Sequence, residues 1–184
     1  MAKYVLASQS PRRKQLLEWA EINFETIVEP TEETYPVELS PEEIAVHIAK
    51  QKAEAVRTKT AKIIIAADTI VVLGNEIIGK PQDREDALAI LQKLSGKRHK
   101  VITGVFINGE GKEISFADST DVEFHPLTPE QVAFYVDKYR PYDKAGAYAI
   151  QEWIGVIGIK SIKGDFYNVM GLPVSRVVQA LKNF

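Results

Sequence analysis

The chain switches repeatedly between short β-branched apolar runs and stretches in which apolar residues recur every three or four positions. That switching predicts alternating strands and helices. Tyr4–Ala7 is a short apolar run ahead of turn residues and reads as the first strand. Ser10 then stands as an N-cap and Pro11 as the first residue of a helix that continues to about Ala20. A strand is predicted over Phe24–Val28, followed by the acidic, proline-bounded loop VEPTEETYP. SPEE at Ser40–Glu43 is a capping box with proline at its first helical position, opening a helix to Val56 or Arg57. Ala45, Ile48, Ala49 and Val56 share one face of that helix, and Lys52 falls in the middle of the stripe.

Ile63–Leu73 is the strongest strand signal, and Gly74–Asn75 predicts a hairpin back through EII. A helix follows over about Arg84–Leu94, with Ala87, Leu91 and Leu94 inward and Ser95–Gly96 closing it. Lys100–Ile107 and Glu113–Phe124 read as two strands around NGEGK. Thr128, Pro129 and Gln131 form a second capping box, for a helix ending near Tyr139. RPYDKAGAYAIQ is a loop, Ile154–Ile162 reads as strand, KGD as a turn, and a last helix begins near Leu172–Pro173 with Val174, Val177, Val178 and Leu181 inward. Interleaved helices and strands predict an α/β fold with one central mixed sheet flanked by helices, and the hairpins exclude an all-parallel sheet. No repeat, low-complexity tract or linker interrupts the chain, so a single domain over residues 1–184 is expected.

Composition narrows the chemistry. With 23 basic and 25 acidic residues the formal net charge is −2, which argues against bulk binding of nucleic acid or of an acidic membrane surface. Any anion site must then be a local cluster. There are no cysteines, which excludes disulfides, thiolate nucleophiles and cysteine-ligated zinc. The N-terminal apolar stretch is too short for a signal peptide, and the longest apolar run is short and polar at its centre, so no membrane span is expected and the location is read as cytoplasmic.

Several residues do not fit a purely structural role. Asp68 is the one ionisable residue in IIIAADTIVVL, where an unpaired carboxylate would be costly. It is a buried salt bridge, a strand end facing solvent, or a functional group. Lys52 either snorkels from the edge of its stripe, serves a site, or pairs with Asp68. Arg12 and Arg13 sit where a helix begins, an end that repels cations and attracts anions. They are a solvated surface or, with the helix N–H groups and the hydroxyls of Ser8 and Ser10, a phosphate site. Lys80 stands in the short GKP loop, where a lysine is ordinarily solvent-exposed, and no Walker A loop is present. Glu32 and Glu33 are an acidic pair, ordinarily solvated, that could help hold a divalent metal beside phosphate. His47, His99 and His125 show no ligand spacing.

LASQSPRRKQLL, AADTIVV, GKP, LSGKRHKVITGV, DKAGAYAIQ and GDFYNVMGLPV occur in this order, spanning Leu6 to the last helix. Together they resemble the Maf family of nucleoside triphosphate pyrophosphatases. The resemblance implies a fold related to the inosine triphosphate pyrophosphatases, with a cleft between two lobes. It implies hydrolysis of a nucleoside triphosphate to the monophosphate and pyrophosphate with a divalent cation, Mg²⁺ or Mn²⁺, in a homodimer. Asp68 is the implied proton acceptor and metal contact, with Glu33 as a further metal candidate. Arg12, Thr69 and Gln151 are the implied marks of base specificity, resembling the dTTP/UTP subgroup. Ser8, Arg12, Arg13, Lys52 and Lys80 are assigned to the triphosphate. The subgroup often reads GAYGIQG, whereas this chain carries Ala149 and Glu152, which places a charge beside Gln151. The rival readings are a nucleotide-sensing regulator of septum formation and cell division, and the same hydrolysis on another base such as 7-methyl-GTP.

Overall fold

A computed structural model describes residues 3–184. Among the described residues seven strands form one mixed sheet: β1 Tyr4–Leu6, β2 Phe24–Thr26, β3 Ile63–Leu73, β4 Glu76–Ile78, β5 Arg98–Gly109, β6 Lys112–Phe124 and β7 Ile159–Lys163. Their order is β2-β1-β3-β5-β6-β7, with β4 paired to β3. The helices are α1 Pro11–Trp19, α2 Pro41–Arg57, α3 Arg84–Leu94, α4 Pro129–Tyr139, α5 Trp153–Gly158, α6 Phe166–Met170 and α7 Val174–Leu181. The predicted mixed sheet flanked by helices is thus observed. β1 lies between parallel neighbours, with Tyr4 in register with Phe24 of β2 and Ile63 of β3. Paired on both sides, its Val5 and Leu6 are fully buried, as the uniformly apolar run requires. β4 returns antiparallel on β3, and β7 antiparallel on β6. The turn between β5 and β6 sets both Glu110 and Gly111 at positive φ (52° and 75°), the backbone twist that suits a tight hairpin.

Packing divides the chain into two compact units. The first takes the chain up to Thr69 with Thr103–Asp118 and Gly171–Phe184; the second takes Ile70–Ile102 and Ser119–Met170. In the first unit, α2 lays its predicted apolar stripe on the sheet. Ala49, Ala53 and Val56 pack with Val5, Ala7, Ile64, Ala66 and Phe106. The approach is close enough that a Cβ at Gly104 of β5 would lie 2.2 Å from backbone atoms of Ala45 and Val46 in α2. Both predicted capping boxes form: Ser40 with Glu43 on α2, and Thr128 with Gln131 on α4.

In the second unit, Val71, Ile78, Val101 and Val122 form a core cluster joined by Ile90 of α3, Ala145, Ile159 and Val169. His99 of β5 is buried beside it. Its ring stacks on Phe124 and meets Tyr148 edge-on, each with centroids 5.5 Å apart. Its Nε2 hydrogen-bonds the Tyr148 hydroxyl at 2.6 Å, and Nδ1 has no partner among the described residues. Burial holds His99 well below its ordinary value, at about 4, against a weaker upward pull from Asp121.

The structure corrects one predicted element. Ile154–Ile162 is not continuous strand: Trp153–Gly158 is helical and only Ile159–Lys163 pairs in the sheet. A short apolar run has no period that separates buried strand from buried helix. Gly155 decides the matter sterically, since its absent side chain lets the helix backbone sit on the Ile150 carbonyl, where a Cβ would come within 1.7 Å. The stretch after the KGD turn also forms a short helix, α6, before the last helix begins at Val174.

Two outcomes follow from this packing. Gly104→Ala should cost about 2 kcal/mol by forcing α2 off β5, seen as a melting temperature lower by about 4–8 °C; an unchanged melting temperature would contradict the close approach. His99 takes up its proton at lower pH when folded than when unfolded, so unfolding is favoured as pH falls from about 6.5 to about 4. Denaturant titrations should show the native chain losing about 3 kcal/mol more than His99→Gln across that window, and parallel losses would contradict it.

Candidate active site

The strand β3 has two polar neighbours near its middle, and the pleat sends them to opposite faces. Ile64 and Ala66 pack under α2, and Asp68 continues the same face. It therefore meets the apolar stripe of α2 at the position where Lys52 interrupts it. Lys52 Nζ donates to Asp68 Oδ1 at 2.6 Å. The same ammonium lies 2.9 Å from Glu33 Oε1. Side-chain exposure is 12% for Asp68, 18% for Lys52 and 44% for Glu33, so the cluster is sunken at the aspartate and open at the glutamate. Of the readings open for Asp68 and Lys52, the pair with one another is realised, and it keeps access to solvent.

Thr69 faces the other way, toward α1. Ser10 caps that helix, its side chain accepting from the Arg13 N–H, and Pro11 opens it as predicted. One turn into the helix, Arg13 is buried. Its Nε donates to the Gly171 carbonyl at 2.7 Å, Nη1 to Ser8 Oγ at 3.1 Å and Nη2 to Thr69 Oγ1 at 2.9 Å. Gly171 stands at φ +115°, a conformation that favours glycine and turns its carbonyl onto the guanidinium. Thr69 Oγ1 also shares a hydrogen bond with Thr103 Oγ1 at 2.9 Å. Burial lowers the Arg13 pKa, Asp68 and Glu33 oppose that drop, and the neighbouring Arg12 adds to it. Arg13 is thus in the electrostatic field of both carboxylates while its donors hold the backbone and hydroxyls around them. Ser8 Oγ accepts from Arg13 and from the Ser10 N–H at 3.2 Å, which leaves its own proton as a donor. Arg12 is half-buried at the start of α1.

Lys80 and Gln151 belong to the second unit. Lys80 is exposed. Its loop is tied to DKAGAYAIQ by the Gly146 N–H, which donates to the Gly79 carbonyl at 3.1 Å. Gly146 needs its positive φ of 72° and packs on Val71, so the segment is pressed against the strand. Gln151 is exposed, in a turn just before α5. Glu152, the departure noted in the sequence, carries a charge with defined neighbours: the Tyr135 hydroxyl donates to its Oε2, and Lys144 Nζ lies 3.8 Å from its Oε1.

The structure therefore brings Asp68, Lys52 and Glu33 together, and Arg13, Ser8 and Thr69 together, all within the first unit. Sequence reasoning missed Thr103, Tyr135 and the part played by Gly171. Thr103 carried a signal, as a hydroxyl inside an apolar strand; the reach of Tyr135 carried none. Among the described residues no group of three or more histidines or carboxylates is placed to hold a metal ion. Asp68 and Glu33 are two carboxylates that share the Lys52 ammonium. No helix among the described residues is long and apolar enough to cross a membrane.

Comparison with known proteins bears on the fold and the family. The chain is similar to the Ham1 protein of Staphylococcus aureus (TM-score 0.55, 20% identity, 98% of this chain and 97% of that one). It is likewise similar to a HAM1 protein from Coxiella burnetii (TM-score 0.54, 14% identity, all of both chains). At such identities the likeness establishes the fold. Curated relatives are much nearer in sequence. A dTTP/UTP pyrophosphatase of Porphyromonas gingivalis is 48% identical over 99% of this chain and 94% of its own length. One of Cytophaga hutchinsonii is 52% identical over 97% and 82%, and one of Bacillus cytotoxicus 46% over 100% and 96%. The family described as Maf-like protein matches residues 3–184, and with relatives this similar along its whole length the chain belongs to the Maf family.

Proposed function

We propose that this chain hydrolyses dTTP and UTP to the nucleoside monophosphate and pyrophosphate, with a divalent cation. The observation that carries the reading is the solvent-open cluster of Asp68, Lys52 and Glu33 beside the buried Arg13 guanidinium, in a chain about half identical to relatives named for this reaction.

Cleavage between the α and β phosphates expels a heavily charged leaving group, so the protein's task is to position the triphosphate and stabilise its charge. Lys52 has three N–H donors; two face Asp68 and Glu33, and the third serves a phosphate oxygen. Arg12, Arg13 and Lys80 add positive charge, and Ser8 contributes a hydroxyl donor. Asp68 orients the attacking water and accepts its proton. Thr69, Arg12 and Gln151 set the choice of base, Gln151 by offering both a donor and an acceptor to a pyrimidine edge.

Two carboxylates fit Mg²⁺ or Mn²⁺, hard cations commonly held by one or two carboxylates and completed by water and substrate phosphates. Asp68 and Glu33 would hold it, and when bound it makes water more acidic and offsets phosphate charge. The net charge of −2 favours a free nucleotide over nucleic acid as partner. The family resemblance adds a homodimer acting in the cytoplasm.

Asp68→Asn keeps an oxygen acceptor for Lys52 but removes the base. Pyrophosphate release from dTTP should fall by about 10²–10⁴-fold with the melting temperature nearly unchanged, and near-normal turnover would remove Asp68 from the reaction. Run across a triphosphate panel, the native protein should show its highest kcat/KM on dTTP and UTP. A preference for 7-methyl-GTP would move the reading to another base, and saturable binding without pyrophosphate release would favour the sensor. Lys52→Ala should raise KM or lower kcat by at least about tenfold, the effect of losing one charge-assisted hydrogen bond; an unchanged rate with a lower melting temperature would make Lys52 structural.

A further inference from the structure

Gln151 is exposed, yet the backbone that carries it is held from both sides. The Glu152 N–H donates to the Ala149 carbonyl at 3.1 Å, closing a turn with Ile150 and Gln151 at its centre. One buried hydroxyl grips both ends of that turn. The Ala149 N–H donates to Tyr135 Oη at 3.1 Å, and Tyr135 Oη–H donates to the Glu152 carboxylate. Tyr135 is fully buried on α4, its ring stacked on Tyr139 with centroids 4.9 Å apart. The second carboxylate oxygen of Glu152 faces Lys144, which also bonds Asp143 at 2.8 Å. From below, α5 presses Gly155 onto the Ile150 carbonyl.

The bland explanation for Glu152 is a helix cap, because it stands at the N-cap position of α5. Its side chain makes no capping hydrogen bond there. The carboxylate turns instead to Tyr135 and Lys144, so it serves the turn and not the helix. The need for such bracing follows from the chemistry of an amide. A glutamine presents an acceptor and a donor side by side, and a half-turn of the amide exchanges them. A loosely held glutamine therefore suits a uracil-type edge, with its N–H and carbonyl, and a cytosine-type edge, with its ring nitrogen and amino group, about equally. Choosing one edge requires a partner that sets the amide's half-turn and, for that choice to count, a backbone that fixes where the amide stands against the base.

We infer that Tyr135 and Glu152 are positioning residues for base selection: the relay from Ala149 N–H through Tyr135 Oη to the Glu152 carboxylate fixes the turn that presents Gln151. The inference rests on the proposed role of Gln151 in a dTTP/UTP pyrophosphatase. The relay lies wholly outside the Asp68 cluster, so its loss should fall on substrate binding and discrimination while the chemical step is retained.

The test uses the full chain with Tyr135→Phe, Glu152→Ala and Glu152→Gln, reading kcat and KM for dTTP and dCTP together with backbone hydrogen exchange at Ala149. Glu152→Gln keeps an oxygen to accept the Tyr135 proton. In Tyr135→Phe and Glu152→Ala the ratio of kcat/KM for dTTP over dCTP should fall about tenfold, the weight of one net hydrogen bond, mainly through KM. Exchange at Ala149 should quicken in both, and Glu152→Gln should stay near the native protein in ratio and exchange. In a Gln151→Ala background, Tyr135→Phe should no longer change the ratio. An active native protein whose ratio survives Tyr135→Phe overturns the relay alone, as does a loss of kcat shared equally by both substrates. No turnover of dTTP or UTP by the native protein overturns the functional reading itself, and the base-selection role with it.

Discussion

A single buried guanidinium organises the first unit. A charge taken out of water must find partners or be neutralised, and a guanidinium with its five donors in a fixed plane is demanding. Arg13 meets that demand with a carbonyl, two hydroxyls and the field of two carboxylates. Its partners come from the turn after β1, from the middle of β3 and from the bend before α7, the last of these 158 positions away in sequence. Holding those three segments on one rigid fork sets Thr69, and the pleat then commits Asp68 to the face under α2. The pair of arginines at a helix start, which the dipole alone would disfavour, is reconciled in two ways. Arg13 leaves the helix end for the core, and Arg12 stays half-buried at the surface.

The second constraint is electrical. Around Asp68 two carboxylates share one ammonium, with a guanidinium close enough to feel both. The cluster is therefore near balance without a ligand. A polyanion arriving with a divalent cation adds charges of both signs and can be accepted without leaving an isolated charge in a sunken place. That balance explains how an aspartate survives in a strand whose other residues, Thr69 apart, are aliphatic, and why the neighbouring lysine interrupts an apolar stripe.

Much of this was legible in the residues. The capping boxes at Ser40 and Thr128 and the Ile63–Leu73 strand were read correctly because each is a local signal: a side chain satisfying its own helix end, or a β-branched run. Asp68 and Lys52 stood out because each breaks a pattern, and the structure shows them breaking it together. Arg13 was read as a phosphate ligand, and its hydrogen bonds to Thr69 and Gly171 were hidden because they join distant segments. The helix at Trp153–Gly158 was misread as strand because the deciding contact, Gly155 on the Ile150 carbonyl, is tertiary in origin. The role of Tyr135 was equally silent, since nothing in an amphipathic helix announces that a tyrosine on its inward face will reach a turn elsewhere.

In the proposed reaction water is added between the first and second phosphates of a pyrimidine nucleoside triphosphate. A phosphorus NMR spectrum of dTTP incubated with the protein and Mg²⁺ shows which phosphate bond is cut. dTMP and pyrophosphate should appear in equal amounts. Resonances of dTDP and orthophosphate, or dTTP left intact, would contradict it.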